Sequence, residues 1–156
     1  MAPKPKDFRK DLPFGLEAEQ AFLSAYAPFI EKANLDDLRA VDFSIFGTEV
    51  LLELKADRYT SGNVFLERWS DKEAKKPGGP WKAYLDGATY LAYWLVNQGV
   101  WYFFDIEALL ACLDGLDLKP YEKEVRNRGY CTFGYAIPVK LLKGCYSEHL
   151  CEFRKD

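Results

Sequence analysis

The chain has 156 residues, of which 49% are hydrophobic and 16% aromatic, and its formal net charge at pH 7 is −3. This length and apolar content suit one folded domain with one core, and they exclude a chain that is disordered throughout. The apolar stretches are too short to span a bilayer and no signal-peptide pattern opens the chain, so we expect a cytoplasmic protein with no membrane partner.

The predicted elements begin with a basic arm and a helix. Residues 1–13, which are rich in lysine and proline, are expected to form a flexible basic arm, and residues 14–156 a single domain. Apolar residues recur at helical spacing from Leu16 to Ile30, which predicts the first helix. Runs typical of β-strands follow with short turns between them, and they predict an antiparallel meander over residues 39–46, 49–56 and 63–70.

The second half of the chain shows a different pattern. Residues 71–80 contain three lysines and end in Pro-Gly-Gly-Pro, which predicts an irregular, mobile loop. Apolar positions at helical spacing then predict a second helix over residues 81–97. The remaining predicted elements are a strand at 100–105, a short helix at 106–113 and a strand at 131–139. The order helix, three strands, helix, strand is typical of an α/β fold with a central mixed sheet flanked by helices.

The second predicted strand carries the residues with the clearest chemistry. Because alternate residues of a strand share a face, Glu53 and Lys55 point together, away from the apolar face. If the first two strands pair as a hairpin, Asp42 comes to lie beside Glu53. Two carboxylates and an ammonium then converge, which is the equipment for hydrolysing phosphodiesters with bound Mg²⁺ or Mn²⁺. Taken alone, however, this alternation is also the pattern of an ordinary solvated sheet face.

Glu19 is the third acidic candidate because of its place in the first helix. It lies at the centre of the apolar stripe, between Leu16 and Leu23, whereas Glu17 lies on the far side. A carboxylate among core-facing residues is costly unless it is paired or binds a metal ion. Glu19 is therefore a candidate metal ligand, and the alternative is a salt bridge to Lys55 or to an arginine.

Together these residues resemble the motifs of the PD-(D/E)xK nuclease superfamily. The matching segments are Gly15-Leu16-Glu17-Ala18-Glu19, Val41-Asp42 and Leu52-Glu53-Leu54-Lys55, in a layout closest to that of the small Holliday-junction resolvases. The resemblance implies a restriction-endonuclease-like αβββαβ core over residues 14–105. It also implies that Asp42 and Glu53 bind the metal, with Glu19 as a further ligand, and that Lys55 is the catalytic lysine. One departure is Val41, which stands where the motif has proline.

Three lysines and one more acid are assigned accessory roles. Lys72, Lys75 and Lys76 are candidate contacts to the phosphates of nucleic acid, although a solvated charge run explains them equally well. Glu67, on the third predicted strand, is expected to support the site. The net charge of −3 is not typical of a nucleic-acid-binding protein, but affinity for phosphates depends on local patches.

The cysteines offer a second metal-site hypothesis. Cys131, Cys145, His149 and Cys151 could together hold zinc. No Cys-x-x-Cys pair is present, however, and ordinary semi-buried thiols are the simpler interpretation of four cysteines in a cytosolic chain.

The sequence therefore predicts a metal-dependent nuclease. The leading hypothesis is an endonuclease that acts on branched or structured DNA. The choice of substrate rests on the resemblance alone. A homodimer is also possible. The alternative is a catalytically inactive, nuclease-like module that binds nucleic acid or a partner protein. The joint presence of Asp42, Glu53 and Lys55 favours the enzyme, whereas the acidic net charge mildly favours the module.

Overall fold

The computed structural model of the chain describes residues 8–26, 30–32, 43–45 and 50–150. Within these residues the fold is mixed α/β, which confirms the predicted class, and it comprises two β-sheets and three α-helices. The helices are α1 (Phe8–Tyr26), α2 (Gly79–Leu85) and α3 (Ile106–Asp114). The strands are β1 (Ile30–Lys32), β2 (Phe43–Ile45), β3 (Leu51–Asp57), β4 (Asn63–Asp71), β5 (Lys76–Pro77), β6 (Tyr90–Leu95), β7 (Val100–Asp105), β8 (Glu122–Arg126), β9 (Cys131–Pro138) and β10 (Tyr146–Leu150). Of the helices in this part of the chain, none is long and apolar enough to cross a membrane.

The larger sheet has six strands in the order β1-β2-β3-β6-β7-β10. Strands β3 and β6 run parallel, and the other neighbours in this sheet are antiparallel. The smaller sheet has four antiparallel strands in the order β5-β4-β9-β8. The larger sheet is mixed, as predicted, whereas the sequence pattern does not predict the smaller one.

Helix α1 covers one face of the six-stranded sheet. The ring of Phe22 lies 5.2 Å from that of Phe43 and meets Trp101 edge-on, also at 5.2 Å between ring centres. All three side chains are buried, so this aromatic cluster anchors the helix on the sheet. The opposite face shares a second apolar cluster with the four-stranded sheet, α2 and α3, whose buried members include Val64, Leu66, Ala83, Leu91, Tyr93, Leu109 and Ile137.

The prediction of one helix over residues 81–97 is wrong beyond its first turns. Helix α2 ends at Leu85, Gly87 adopts a left-handed φ of 85°, and β6 begins at Tyr90. Strand β6 is buried on both faces, so its sequence is a continuous apolar run whose spacing suits a helix as well as a strand. The segment is a strand and not a helix because its backbone pairs with β3 on one side and with β7 on the other.

Strand β4, the third predicted strand, does not continue the predicted meander. It pairs with β9 and β5 in the four-stranded sheet. The meander in the six-stranded sheet is formed by β1, β2 and β3, with Ile30 opposite Ile45 and Phe43 opposite Leu52. Ile30 therefore opens a strand, although helical spacing assigned it to the first helix.

Helix α1 is shifted toward the N-terminus relative to its prediction. It begins at Phe8, so residues 8–13 of the predicted basic arm are helical, and it ends at Tyr26. Its most buried positions include Ala18 and Phe22, whereas Leu16 is 53% exposed. The buried stripe of the helix therefore passes through residues 18 and 22 and not through residue 16.

The prediction of an irregular loop over residues 71–80 is wrong. Strand β4 extends to Asp71, a turn covers residues 72–75, and β5 pairs back onto β4. The Lys72 amide donates to the Cys131 carbonyl at 2.8 Å, and the Gly78 amide donates to the Arg68 carbonyl at 3.2 Å. These bonds tie the segment to β9 and β4, and its last two residues, Gly79 and Pro80, begin α2.

Gly134 packs closely against β4, and this contact gives a test of the fold. A Cβ at Gly134 would lie 2.5 Å from the carbonyl oxygen of Leu66, which is backbone and cannot move aside. We expect Gly134→Ala to lower the free energy of unfolding in urea by about 1–3 kcal/mol. Gly115→Ala is the matched control and should be neutral or slightly stabilising, because the nearest atom to its Cβ is 3.6 Å away. Equal stabilities of the two variants would contradict this packing of β9 on β4.

Candidate functional site

A cavity of about 720 Å³ lies between the N-terminal half of α1, the end of β3 and the four-stranded sheet. Three residues singled out in the sequence line it, namely Glu19 from α1, Lys55 from β3 and Glu67 from β4. Its volume is within the range of about 300–1,000 Å³ that is common for ligand sites. The fold thus gathers polar residues from three separate elements around one space, which makes this cavity the candidate site.

Strand β3 presents alternate residues on the side that faces the four-stranded sheet. Glu53, Lys55 and Asp57 share this face because residues two apart on a strand point the same way. Glu53 is half-buried, and its Oε2 atom is shielded from solvent. Lys55 is exposed and Asp57 is half-buried, and both line the cavity. An ammonium and a carboxylate therefore reach the cavity from this strand, whereas Glu53 is not among the described residues that line it.

Asp42, the predicted partner of Glu53, lies outside the described residues. The described ladder between β2 and β3 pairs Phe43 with Leu52 and Ser44 with Leu51. The residue that follows Asp42 in the sequence is thus paired with the residue that precedes Glu53. The juxtaposition of the two carboxylates stays a prediction.

Helix α1 brings Glu19 to the cavity and leaves Glu17 exposed. Ala18 and Phe22 are each 1% exposed and seat the helix on the sheet, so the neighbouring Glu19 is turned partly inward. The sequence distinguishes the two glutamates in the same way, although it does so from a stripe through Leu16, which is exposed.

Glu67 is held against the cavity by Gly78 and Gly79, which are the N-cap and the first residue of α2. A Cβ at Gly78 would lie 2.7 Å from Cγ of Glu67, and a Cβ at Gly79 would lie 2.6 Å from the carbonyl oxygen of Glu67. Gly79 also has a left-handed φ of 48°. Glycine is required for so close an approach of backbone to backbone. The Pro-Gly-Gly-Pro sequence therefore packs over Glu67 instead of forming a free loop.

The sequence pattern does not predict a chain of hydrogen bonds at the cavity. The Phe65 amide donates to the Tyr93 hydroxyl oxygen at 2.9 Å, and the Tyr93 hydroxyl donates to Asp57 Oδ2, also at 2.9 Å. Burial, followed by the negative charge of Asp57, raises the pKa of Tyr93 well above its ordinary value, so the hydroxyl stays protonated and donates. The period-two pattern Glu53, Lys55, Asp57 signals Asp57 in the sequence, but Tyr93 lies in the segment that was predicted to be helical.

The three lysines proposed to contact nucleic acid lie on the β4–β5 turn and on β5. Lys72 forms an ion pair with Glu124, and its Nζ atom lies 5.3 Å from the centre of the Phe133 ring. The hydrogen bond to Glu124 raises the pKa of Lys72, which remains a cation but one with a neighbouring counter-charge. Lys75 and Lys76 are exposed. None of the three lysines is among the described residues that line the cavity.

Groups of metal-ligating side chains can be assessed only in the described part of the chain. There, no three or more His, Cys, Asp or Glu side chains are placed to hold one metal ion. A metal site at the cavity would therefore need a ligand from outside the described residues, and Asp42 is the one predicted from the sequence. For the zinc hypothesis, Cys131 lies in the four-stranded sheet, whereas the Cys145 thiol, beside the six-stranded sheet, donates to the Ala108 carbonyl at 3.5 Å. The side chain of His149 and all of Cys151 lie outside the described residues.

In comparisons with known protein families, with curated proteins and with solved structures, the chain has no match. These comparisons therefore assign neither a family nor an activity. The function has to be argued from the chemistry of the cavity, because a fold class alone is compatible with many activities.

Proposed function

We propose that this chain is a metal-dependent nuclease that hydrolyses phosphodiester bonds, with branched or structured DNA as the leading substrate class. One observation carries the proposal: Glu19, Lys55 and Glu67, which are distant in sequence, line one cavity. Carboxylates and a lysine around one space are what phosphodiester hydrolysis with a divalent cation requires. The resemblance to PD-(D/E)xK nucleases assigns Glu19 to metal binding and Lys55 to catalysis, and Glu67 adds an acid with a supporting role.

The residues present fit a magnesium or manganese ion by their donor chemistry. Carboxylate oxygens are the ligands that Mg²⁺ prefers, and Asp42, Glu53 and Glu19 all carry them. Asp42 and Glu53 would hold the ion, with Glu19 as a ligand directly or through water. A cation bound there would polarise the phosphoryl group and lower the pKa of the attacking water.

Lys55 and Asp57 have different roles in this proposal. Lys55 is exposed to the cavity, so its ammonium can meet a phosphate oxygen and offset the negative charge that develops in the transition state. Asp57 accepts the Tyr93 hydroxyl at Oδ2 and the Arg58 amide at Oδ1, the latter at 2.8 Å. Because both of its oxygens already accept hydrogen bonds, we assign Asp57 to positioning the end of β3.

The order of the elements supports the proposed core. Helix α1, the meander of β1 to β3, helix α2 and strand β6 follow one another as α-β-β-β-α-β, with β4 and β5 inserted before α2. Strand β6 returns parallel to β3 through this connection. In this order β3, which carries Glu53 and Lys55, is the third strand, whereas the core predicted from the resemblance has residues 63–70 in that place.

A second candidate is the inactive nuclease-like module. The ion pair between Lys72 and Glu124 favours the protein-binding form of this module, because a lysine that already has a counter-charge contributes less to binding phosphates. Such a module would bind nucleic acid or a partner protein without cleaving it. The two candidates differ in one observable, which is bond cleavage.

The test is incubation of the purified chain with plasmid, a four-way DNA junction and a structured RNA. We expect cleavage in Mg²⁺ or Mn²⁺ and none with EDTA. Glu19→Gln should slow cleavage at least tenfold, because the cavity loses one carboxylate. Glu17→Gln, two residues away on the exposed side of the same helix, should cleave at the wild-type rate. Binding of these substrates without cleavage in either metal would support the module instead.

A further inference from the structure

A second set of residues around the cavity has no role in the proposed hydrolysis. Phe14, Arg58, Tyr59 and Tyr130 line the cavity, together with Phe65. The guanidinium carbon of Arg58 lies 3.8 Å from the centre of the Phe14 ring. This cavity wall is therefore aromatic and cationic, in contrast to the acids of α1, β3 and β4.

A lysine extends this wall. The Nζ atom of Lys123 donates to the Tyr59 hydroxyl at 3.3 Å and lies 5.0 Å from the centre of that ring. It also lies 5.8 Å from the centre of the Phe65 ring. Cations that stack on aromatic rings keep their positive charge while they order the rings, so Tyr59 and Phe65 are held in place beside the cavity.

The turn that carries Tyr130 is fixed by hydrogen bonds. The backbone amide of Asn127 donates to the Tyr130 carbonyl at 2.9 Å, and the side-chain Nδ2 of Asn127 donates to Thr132 Oγ1 at 2.8 Å. Thr132 Oγ1 in turn donates to the Ser70 carbonyl at 3.0 Å, which ties the turn to β4. Tyr130 nevertheless remains 40% exposed. A ring that is exposed, yet carried on a fixed backbone, is suited to stacking with an incoming flat group.

We propose that this wall binds an unpaired nucleobase of a single-stranded nucleic acid segment, next to the scissile phosphate. The inference rests on the proposed function. It adds that the nucleotide of the substrate at this site is not base-paired. Aromatic rings and guanidinium planes are the surfaces on which proteins stack unpaired bases. Asn127 lines the same cavity, and its side-chain oxygen Oδ1 can accept a hydrogen bond from the edge of a base.

The charge and size of the site favour an unpaired base over a duplex. Lys72, one of the three lysines proposed to contact phosphates, is ion-paired with Glu124 and so contributes less to the phosphate contacts on which duplex binding depends. A cavity of about 720 Å³ has the dimensions of a small-ligand site, so one extruded nucleotide can enter it, whereas a double helix cannot.

The test measures the binding of nucleic-acid probes by variants of two tyrosines, using fluorescence anisotropy. EDTA is present so that a metal-dependent enzyme does not cleave the probe. The probes are a short single-stranded oligodeoxynucleotide and a blunt duplex of the same sequence. Tyr130→Ala should weaken binding of the single strand by about 5- to 100-fold, in line with the loss of one stacked base, and leave the duplex unchanged. Tyr130→Phe keeps the ring and should bind like the wild type. Tyr84→Ala, which removes a 50% exposed tyrosine from α2, should leave the affinity for both probes unchanged.

The results separate this inference from the proposed function. Unchanged single-strand binding in Tyr130→Ala would overturn the inference, as would an equal loss for both probes, which would indicate general phosphate docking. If Tyr130→Ala does not fold, as judged by circular dichroism, Arg58→Ala replaces it with the same expectation. Failure of the proposed function appears elsewhere, as no cleavage by the wild type in Mg²⁺ or Mn²⁺, and leaves the binding result standing.

Discussion

Replacing Lys55 with alanine is expected to slow single-turnover cleavage by on the order of a hundredfold or more, which is about 3 kcal/mol of transition-state stabilisation. Lys55 is exposed at the cavity, where its ammonium can offset charge on the phosphoryl group only as that charge develops. The affinity for nucleic acid, measured in Ca²⁺, should change far less, because one phosphate contact among several contributes modestly.

Two further variants sharpen this test. Lys55→Arg should not restore the rate, since a planar guanidinium does not reproduce a compact ammonium. Lys140→Ala, which removes an exposed lysine from the turn after β9, should cleave like the wild type. A parental rate in Lys55→Ala would make Lys55 a solvated strand residue. A parallel collapse of binding and cleavage would make it a docking residue and strengthen the case for the inactive module.

Replacing Glu53 with glutamine is expected to abolish detectable cleavage. The amide keeps the shape of the side chain but removes the negative charge that a divalent cation needs. Asp42→Asn should have the same effect. The fold should be retained in both variants, because removing one of two carboxylate charges that are predicted to lie side by side relieves repulsion. Far-ultraviolet circular dichroism and urea unfolding check the fold, and single-turnover kinetics check the rate.

The matched control for these variants is Glu148→Gln, which removes an exposed glutamate from β10. It should cleave at the wild-type rate, because β10 lies at the far edge of the six-stranded sheet from β1 and contributes nothing to the described cavity lining. Wild-type kinetics in Glu53→Gln would remove Glu53 from the proposed site, whatever the effect of Asp42→Asn.

The parts of the site that sequence reasoning located are those governed by local periodicity. Period two on β3 puts Glu53 and Lys55 on one face, and the structure shows Lys55 at the cavity. The same rule, carried two residues further, reaches Asp57. Helical periodicity separated Glu19 from Glu17, and Glu19 does line the cavity. On both elements, buried apolar neighbours fix which face points toward the core. The local pattern therefore predicts where each polar side chain points.

The parts that sequence reasoning missed depend on long-range pairing. A central strand such as β6 is apolar at every position because both of its faces are covered, so its pattern does not distinguish it from a buried helix. Nothing local in Asn63–Asp71 indicates that β4 pairs with β9, more than 60 positions along the chain, instead of with β3. The Tyr93–Asp57 hydrogen bond follows from the pairing of β3 with β6, and the aromatic wall with Phe65 and Tyr130 from the pairing of β4 with β9, so both become visible only in three dimensions.

The central claim is that Asp42 and Glu53 bind a divalent cation, and a calorimetric titration of Mn²⁺ tests it most directly. The titration compares the wild type with the double variant Asp42→Asn/Glu53→Gln, and Glu17→Gln serves as the control for loss of an acid elsewhere. We predict saturable Mn²⁺ binding by the wild type and by the control, and loss of that binding in the double variant. Undiminished Mn²⁺ binding in the double variant, or no binding by the wild type, would contradict the claim.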